Sequence, residues 1–312
     1  MSTHQSKKVI YAALAGNSLI AISKFVAGGI TGSAAMLSEA IHSVVDSGNQ
    51  LLLLYGIRKS NKAPDKNHPF GYGMELYFWT FVVAILIFAI GAGLSIYKGY
   101  IHVLHPEPIS NPFVNYFVLI LSMIFEGVAW TIAYKEFNKV RGDMSFLKAI
   151  HRSKDPTIFT VLFEDTAAII GLFIALLGVA GSHLLGWHIM DGVASIGIGI
   201  VLALVAVLLA YESKGLLIGE GADPAIVAVI RTYLDEDTRI QKTNELLTMH
   251  MGPNEILLNA SLDFEDGLTA EGVETAISEF EREIKQRFPS IRRVFIEAQS
   301  WRAHQMDADA SI

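Results

Sequence analysis

The sequence predicts an α-helical membrane protein with six transmembrane helices, followed by a small α+β domain. The 312-residue chain is 52% hydrophobic and 18% charged, whereas soluble domains average about 25% charged residues. Its apolar residues come in runs of about 20, the length that a helix needs to cross the hydrocarbon core. Residues 1–220 carry 15 Lys/Arg and 14 Asp/Glu, and residues 221–312 carry 9 and 17. The net charge therefore falls from +1 to −8 near the border between the two parts.

The predicted transmembrane domain occupies residues 1–215. The expected helices are 9–30, 34–57, 76–99, 113–135, 157–182 and 189–211. The connections 58–75 and 136–156 are long and basic, whereas the other connections inside the domain are poor in Lys and Arg. Because positive residues gather on the cytoplasmic side, we expect a multi-pass protein with both termini in the cytoplasm. The N-terminal MSTHQSKK lacks a small-residue cleavage site and is typical of a cytoplasmic lead-in.

Residues 221–301 predict a cytoplasmic domain with the order helix, strand, strand, helix, strand. Asp223 followed by proline is a helix start, and ILLNASLDF (256–264) alternates apolar and polar residues as a half-buried strand does. Thr269 begins a second amphipathic helix, and RRVFIEAQ forms the last strand. We expect residues 302–312 to be a flexible tail.

Three ionisable residues in the apolar runs predict a metal site. His42 and Asp46 are four residues apart, so they lie on one helix face. Asp165 lies at a similar depth in the fifth helix. An ionisable group inside a membrane costs about 2.5–3.5 kcal/mol on insertion scales and therefore needs a partner or a function. Imidazole and carboxylates suit a tetrahedral Zn²⁺ site with one open position, although a buried His–Asp pair that only packs helices also fits the spacing.

Three further acids are weaker candidates. Glu164 is adjacent to Asp165 and points about 100° away from it, so only one of the two faces the site squarely, and we favour Asp165. Glu39 either lines the access path or is an interfacial carboxylate. Glu126 is a fourth ligand, a proton carrier or a partner for Lys24. Asp191 opens the sixth helix, where capping and metal binding both fit.

Four stretches resemble the cation diffusion facilitators, a family of divalent-metal/proton antiporters. They are NSLIAISKFVAGGITGSAAMLSEAIHSVVDSGNQ (17–50), HPFGYGMELYFW (68–79), DGVASIGIGI (191–200) and MHMGP (249–253). SKDPTIFTVLFEDTAAIIGL (153–172) resembles the zinc transporter 9-like branch. The resemblance implies six transmembrane helices, a ferredoxin-like αββαβ cytoplasmic domain and a homodimer in a lipid bilayer. It also implies a divalent metal, most simply Zn²⁺, and protons as the transported ions, with no other cofactor.

The resemblance implies two metal ligands from helix 2 and two from helix 5, four residues apart. His42 and Asp46 match the helix-2 pair. If Asp165 is the second helix-5 ligand, the first falls on Val161, which binds no metal, so water, Glu164 or Glu126 is needed as the fourth ligand.

Two accessory sites of the family are incomplete in this sequence. Asp65 and His68 match a loop site, but Tyr72 replaces its second histidine. His250 matches a ligand of the soluble domain, and Glu297 and Gln299 replace the expected partners. We therefore expect His250 to be structural and the soluble domain to serve dimerisation.

The resulting hypothesis is a secondary transporter in the bacterial inner membrane that exports the metal in exchange for protons. The acidic soluble part argues against a nucleic-acid partner. One alternative is a metal sensor or scaffold that kept the fold without transport. Another is a membrane-embedded metallohydrolase with metal-activated water, against which stands the absence of an H-E-x-x-H pattern.

Overall fold

The computed structural model describes residues 3–141, 144–145, 149–150 and 153–310. Part of the basic connection 136–156 and the end of the expected tail therefore lie outside the described residues. The chain divides into two units. One unit contains Met1–Arg58 and Glu75–Lys214, and the other contains Lys59–Met74 and Gly215–Ile312. The connection that we expected inside the transmembrane domain is thus assigned to the second unit.

Six long helices are described before the small α+β part of the chain. They are α1 (Thr3–Thr31), α2 (Ala34–Ser60), α3 (Glu75–Leu104), α4 (Pro112–Arg141), α5 (Pro156–Leu184) and α6 (Ile189–Ile218). Within the described residues, α3 to α6 are long and apolar enough to cross a membrane. Helix α2 is less apolar because polar and charged residues recur along it. The spans expected at 9–30 and 34–57 therefore stay predictions.

Small residues let the helices of the first unit approach closely. A Cβ atom added to Gly99 of α3 would overlap the backbone of Gly192 in α6, and one added to Gly178 of α5 would overlap Ala194 of α6. Close approach at small residues is typical of helices that pack in a membrane, where dispersion contacts drive association. Helix α3 also contains a π-helical segment, Ile87–Ala92.

The second unit has the element order that the sequence predicts. Its elements are α7 (Pro224–Asp235), β1 (Ile240–Gly252), β2 (Glu255–Phe264), α8 (Ala270–Arg287), β3 (Ile291–Ala298) and α9 (Trp301–Ala310). The Asp223 side chain accepts a bond from the Ala225 amide at 2.9 Å, and Thr269 accepts one from the Gly272 amide at 3.2 Å. Both residues cap their helices as predicted.

The strands form one sheet in the order β1-β2-β3. β1 and β2 pair antiparallel, and β2 pairs parallel with β3. The parallel pair is joined through α8, as parallel strands require a crossover connection. Leu258 of β2 and Phe280 of α8 are fully buried in the core between helices and sheet.

Two segments of the second unit differ from expectation. Residues 301–310 form helix α9 where we expected a flexible tail, because the Trp301 amide donates to Asp263 at 2.9 Å and Lys242 lies over the Trp301 ring. The 59–74 connection is tied to β3, because Arg293 donates to the Pro69 carbonyl at 2.8 Å. Bonds between residues far apart in the sequence therefore hold both segments.

Candidate metal site

A polar stripe runs along one face of α2. Glu39, His42, Asp46 and Asn49 follow one another at spacings of three, four and three residues. At 100° per residue they fall within an arc of about 80°. Glu39, His42 and Asn49 are buried. The face that would contact the other helices is therefore the one that carries polar groups.

His42 and Asp46 meet at the centre of this stripe. The His42 Nδ1 atom lies 3.2 Å from Asp46 Oδ1, and the two side chains are 2% and 16% exposed. Both ring nitrogens of His42 and Asp46 Oδ1 are buried without a hydrogen-bond partner in the described part of the chain. Such atoms have lost water without gaining a bond, which is costly. A cation or a proton at this position would remove that cost.

Glu39 belongs to a separate ion pair between α1 and α2. Its Oε2 atom lies 3.1 Å from Lys24 Nζ, and both side chains are fully buried. Lys24 also donates to Ser43 Oγ at 2.8 Å. Lys24 therefore pairs with Glu39 rather than with Glu126, and the burial of Glu39 does not favour the alternative of an interfacial carboxylate. A buried lysine is stabilised only by such a partner.

Glu164 of α5 contacts the polar stripe directly. Asn49 donates from Nδ2 to Glu164 Oε1 at 2.8 Å, and both residues are buried. Seven residues along α5, a Cβ atom on Gly171 would overlap Glu39 Oε1. These two contacts set an antiparallel register between α2 and α5 and show that the face of α5 containing Glu164 packs on α2.

Asp165 lies on a different side of α5. It is partly exposed and is turned about 100° from Glu164. The next residue, Thr166, accepts a bond from Trp130 of α4 at 3.0 Å. Glu126, one turn before Trp130, shares that face of α4. Asp165 is 100° from Glu164 and 100° from Thr166, so it lies between the side of α5 that packs on α2 and the side that contacts α4.

These positions do not form a closed ligand set. No group of three or more His, Asp or Glu residues in the part of the chain that the structure describes is arranged to hold a metal ion. The structure brings His42 to Asp46, and Asn49 to Glu164, as two neighbouring pairs on the stripe. His42, Asp46 and Asp165 as ligands therefore stay a prediction.

A comparison with protein families gives the identity of the membrane part. A family model described as the cation efflux transmembrane domain matches residues 10–218, about two thirds of the chain. The chain belongs to the cation efflux family. This family, the cation diffusion facilitators, consists of transporters, so the metallohydrolase alternative is set aside. With the apolar helices α3 to α6, membership also makes this an integral membrane protein.

Three relatives show how far the similarity extends. The mitochondrial proton-coupled zinc antiporter SLC30A9 of Homo sapiens is 35% identical over 260 residues, which are 83% of this chain and 46% of that protein. Metal tolerance protein C4 of Arabidopsis thaliana is 30% identical over 266 residues, 85% of this chain and 58% of that protein. The cation-efflux pump FieF of Escherichia coli is 26% identical over 284 residues, 89% and 87% of the two chains. The chain spans about half the length of the first two relatives.

In this member of the cation efflux family, Asp191 belongs to α6 and caps the start of α2. Its carboxylate accepts bonds from Ser33 Oγ at 2.6 Å and from the Ala34 amide at the start of α2. His102 lies 3.7 Å away. A carboxylate at this end satisfies exposed amides and complements the helix dipole. The sequence suggests a cap at Asp191 but cannot identify which helix receives it.

The loop residues Asp65 and His68 form a structural cluster. Asp65 accepts bonds from Tyr72 Oη at 2.6 Å, Lys62 Nζ at 3.1 Å, and the Asn67 and His68 amides at 3.0 and 2.9 Å. The Tyr72 bond and then the His68 amide hold the pKa of Asp65 well below its usual range. Bonds to Tyr72 and Asp65 raise the pKa of Lys62. Tyr72 thus occupies one Asp65 oxygen.

His250 is buried in the sheet of the second unit. Its Nδ1 lies 3.3 Å from the Gly252 carbonyl, and its amide donates to the Glu220 carbonyl at 2.8 Å. Gln299, at the end of β3, lies 3.3 Å from Ser261 Oγ and 3.1 Å from His304 Nδ1. His250 and Gln299 therefore make hydrogen-bond contacts within the second unit, and a structural role for His250 stays a prediction.

Two buried polar residues of α2 that bond to ionisable side chains are not predicted from the sequence. Asn49 and Ser43 are uncharged, so a search for ionisable groups in apolar runs passes over them. The spacing could have found them: Asn49 is seven residues after His42, and Ser43 is four after Glu39. Buried polar residues at helical spacing from an ionisable residue are therefore a useful signal.

Proposed function

We propose that this protein exports a divalent metal cation, Zn²⁺, from the cytoplasm in exchange for protons. The observation that carries the proposal is the buried pair His42 and Asp46, whose facing polar atoms lack hydrogen-bond partners in the described chain. Family membership supports transport of a cation. The printed name of the human relative, a proton-coupled zinc antiporter, supports both the metal and the proton.

The exchange follows from one site that serves two ions in turn. A metal binds imidazole only when the ring is neutral and binds carboxylate only when it is ionised, so metal binding releases protons. Histidine in water has a pKa of about 6.5, which makes this competition effective near neutral pH. In the proposal, Zn²⁺ binds His42 and Asp46 from the cytoplasmic side together with a carboxylate of α5, for which the candidates are Asp165 and Glu164. External protons then displace the metal when the helices open outward.

Zinc is preferred because of the donor types. One imidazole with carboxylate oxygens is a common zinc environment, and zinc accepts four ligands with one position left to water. Manganese, cobalt and iron use overlapping donors, so the selectivity experiment must include them.

The proposal also covers the orientation in the membrane, the membrane itself and the oligomeric state. The distribution of Lys and Arg supports cytoplasmic termini. We propose the bacterial inner membrane, although the human relative's name places that protein in mitochondria. We also propose a homodimer formed through the second unit, whose αββαβ core is built from that unit's own buried residues.

Purified protein in proteoliposomes provides the test. We expect a zinc gradient to drive proton movement in the opposite direction, and an imposed proton gradient to concentrate zinc above its external level. Zinc entry and internal pH are measured with two dyes in the same vesicles. Zinc binding without accumulation would instead support the sensor or scaffold alternative and overturn the proposal.

A further inference from the structure

Asp191 holds the start of α2 against α6. Its Oδ1 atom accepts a bond from Ser33 Oγ at 2.6 Å, and its Oδ2 atom accepts bonds from the Ala34 and Ala35 amides. Ser33 Oγ in turn accepts a bond from the Met36 amide at 3.1 Å, so the serine also caps its own helix. The first turn of α2 is therefore bonded to one carboxylate of another helix.

A histidine of α3 faces the same carboxylate. His102 Nε2 lies 3.7 Å from Asp191 Oδ2, which is beyond hydrogen-bond distance, and it has no hydrogen-bond partner among the described residues. The Asp191 side chain is fully buried, and the His102 side chain is 11% exposed. A buried ring nitrogen without a partner is costly, and the exposed edge of the ring gives water a route to it. The groups of α2 that contact this carboxylate, Ser33 and the two amides, do not titrate near neutral pH. We call Asp191, His102 and the start of α2 the Asp191 cluster.

Helices α3 and α6 are tightly packed beside this cluster. A Cβ atom on Gly99 would lie 2.6 Å from the Gly192 carbonyl oxygen, and one on Gly192 would lie 2.9 Å from the Gly99 carbonyl oxygen. Gly192 directly follows Asp191, and Gly99 is three residues before His102, so the glycine contact fixes the separation of the two helices that carry the pair. The start of α2 contacts α6 through the hydrogen bonds to Asp191. It can therefore move away without separating α3 from α6.

A proton on His102 would complete the bonding of the cluster. An imidazolium can donate from Nε2 to Asp191 Oδ2, and charge-assisted bonds of this kind are about twice as strong as neutral ones. The proton also makes the histidine–aspartate pair neutral overall, and a net charge between apolar helices is costly. Both gains exist only while the cluster is buried, because water satisfies both groups once the cluster opens. A proton therefore favours the closed arrangement.

The cluster is separate from the candidate metal site. It lies at the end of α2 opposite the 59–74 connection, and His42 is eight residues after Ala34, about 12 Å along the helix. In the proposed orientation this end faces the outside, from which the exchanged protons come. A contact that closes this end of α2 therefore acts on the side where zinc leaves the protein.

Resting on the proposed function, we propose that His102 and Asp191 form a second proton-binding site, which holds the outer end of α2 closed when an external proton binds. This proton is distinct from those that displace zinc at His42 and Asp46. During transport it favours the return of the zinc-free protein to the form that is closed on the outside. External acid thus acts twice, first on metal release and then on closure.

Thiol labelling from the outside tests this site, because the chain contains no cysteine. Ala35→Cys places a reporter at a fully buried position of the cluster, and Ser110→Cys provides an exposed reference. Zinc-free protein in proteoliposomes is labelled with a membrane-impermeant maleimide across about pH 5 to 8, the range in which histidine titrates. We expect the labelling rate of Ala35→Cys, divided by that of Ser110→Cys, to fall about tenfold toward acid pH, the lower end of what a hydrogen bond to a charged group supplies.

Variants of the pair should remove this pH dependence. In His102→Gln and in Asp191→Asn, each combined with the reporter, the labelling ratio should no longer change with pH. The matched control is His105→Gln, which replaces an exposed histidine three residues further along the chain and should behave like wild type. Met36→Cys, also fully buried, is the second reporter if Ala35→Cys does not fold. Zinc affinity in His102→Gln should equal that of wild type, because the metal pair is intact.

Asp46→Ala separates the second proton site from the metal site. The pH dependence of labelling should persist in this variant, because its source is the Asp191 cluster. The inference is overturned if His102→Gln keeps the pH dependence, if Asp46→Ala or His105→Gln loses it, or if acid raises the labelling ratio. None of these results bears on zinc–proton exchange, which is measured separately with the two dyes. A pH-dependent ratio in a protein that exchanges no zinc would support the proton site and contradict the proposed function.

Discussion

Two His–Asp pairs of similar spacing have opposite environments. In α2, His42 and Asp46 are 3.2 Å apart and nearly buried, and their facing atoms lack hydrogen bonds in the described chain. In the 59–74 loop, His68 and Asp65 are 3.5 Å apart and 52% and 38% exposed. There Asp65 receives bonds from a tyrosine, a lysine and two amides.

The difference shows that residue type and spacing alone do not define a metal site. A carboxylate whose lone pairs already accept several bonds has little capacity left for a cation. A buried carboxylate without such bonds carries a desolvation cost that a cation relieves. We therefore expect zinc to bind the α2 pair and not the loop pair.

The largest difference between the two pairs should appear when each aspartate is replaced by alanine. We expect Asp46→Ala to lower zinc affinity by more than about 100-fold, because it removes a ligand and not only a residue that orients one. Zinc-driven proton flux should then fall to the level of protein-free vesicles. The matched variant Asp65→Ala should transport zinc at close to the wild-type rate. Equal losses in both variants would mean that the two pairs do not differ in function.

Replacing the lysine beside each pair should lower the free energy of unfolding in α2 but not in the loop. Lys24→Met leaves Glu39 buried and unpaired, and breaking a buried ion pair costs about 3–5 kcal/mol. Lys62→Met removes an exposed pair with Asp65 and should leave stability unchanged within error. Thermal unfolding in detergent measures both variants. Adding Glu39→Gln to Lys24→Met should restore part of the loss, and an unrestored double variant would show that Lys24 stabilises through its packing alone.

The sequence predicted the elements well because local signals determine them. The two caps, Asp223 and Thr269, and the strand ILLNASLDF are read from neighbouring residues, and the structure contains each of them. Helix α9 was not predicted because the bond at its start, from Trp301 to Asp263, joins residues 38 positions apart. No local pattern reports such a contact.

The candidate site was harder to predict for the same reason. Helical spacing placed His42 and Asp46 on one face, but the choice between Glu164 and Asp165 depends on how α5 is rotated against α2. That rotation is set by Gly171 and Asn49, which carry no charge. The Lys24–Glu39 pair likewise requires knowing which helices touch.

Replacing Tyr72 by histidine should create a weak second zinc site in the 59–74 loop. In Tyr72→His, Asp65 loses the tyrosine bond and gains an imidazole beside it, since the Tyr72 and His68 rings are 4.2 Å apart. We expect a second zinc-binding event in calorimetry, weaker than the first because the Lys62 ammonium remains nearby. Zinc stoichiometry in wild type and in Tyr72→Phe should stay at the single central site. A second event in Tyr72→Phe would mean that the loop binds zinc without the added imidazole.

The smallest expected effect is on the pKa of Asp65 in the 59–74 loop. The Tyr72 hydroxyl makes the largest contribution to the lowered pKa of Asp65, so Tyr72→Phe should raise that pKa toward the value of about 3.9 for a free aspartate. Because the folded pKa lies below the unfolded one, the bonds to Asp65 stabilise the protein above pH of about 4 and are lost as pH falls through the folded pKa. In Tyr72→Phe the loss should therefore begin near the same pH, be complete at a higher pH and be smaller in total. Carbon-13 NMR of the Asp65 carboxyl in micelles measures the shift directly, with Asp237, which bonds Arg239, as an internal control that stays unchanged. If the Asp65 titration is the same in Tyr72→Phe and wild type, Lys62 and the backbone amides alone lower the pKa of Asp65.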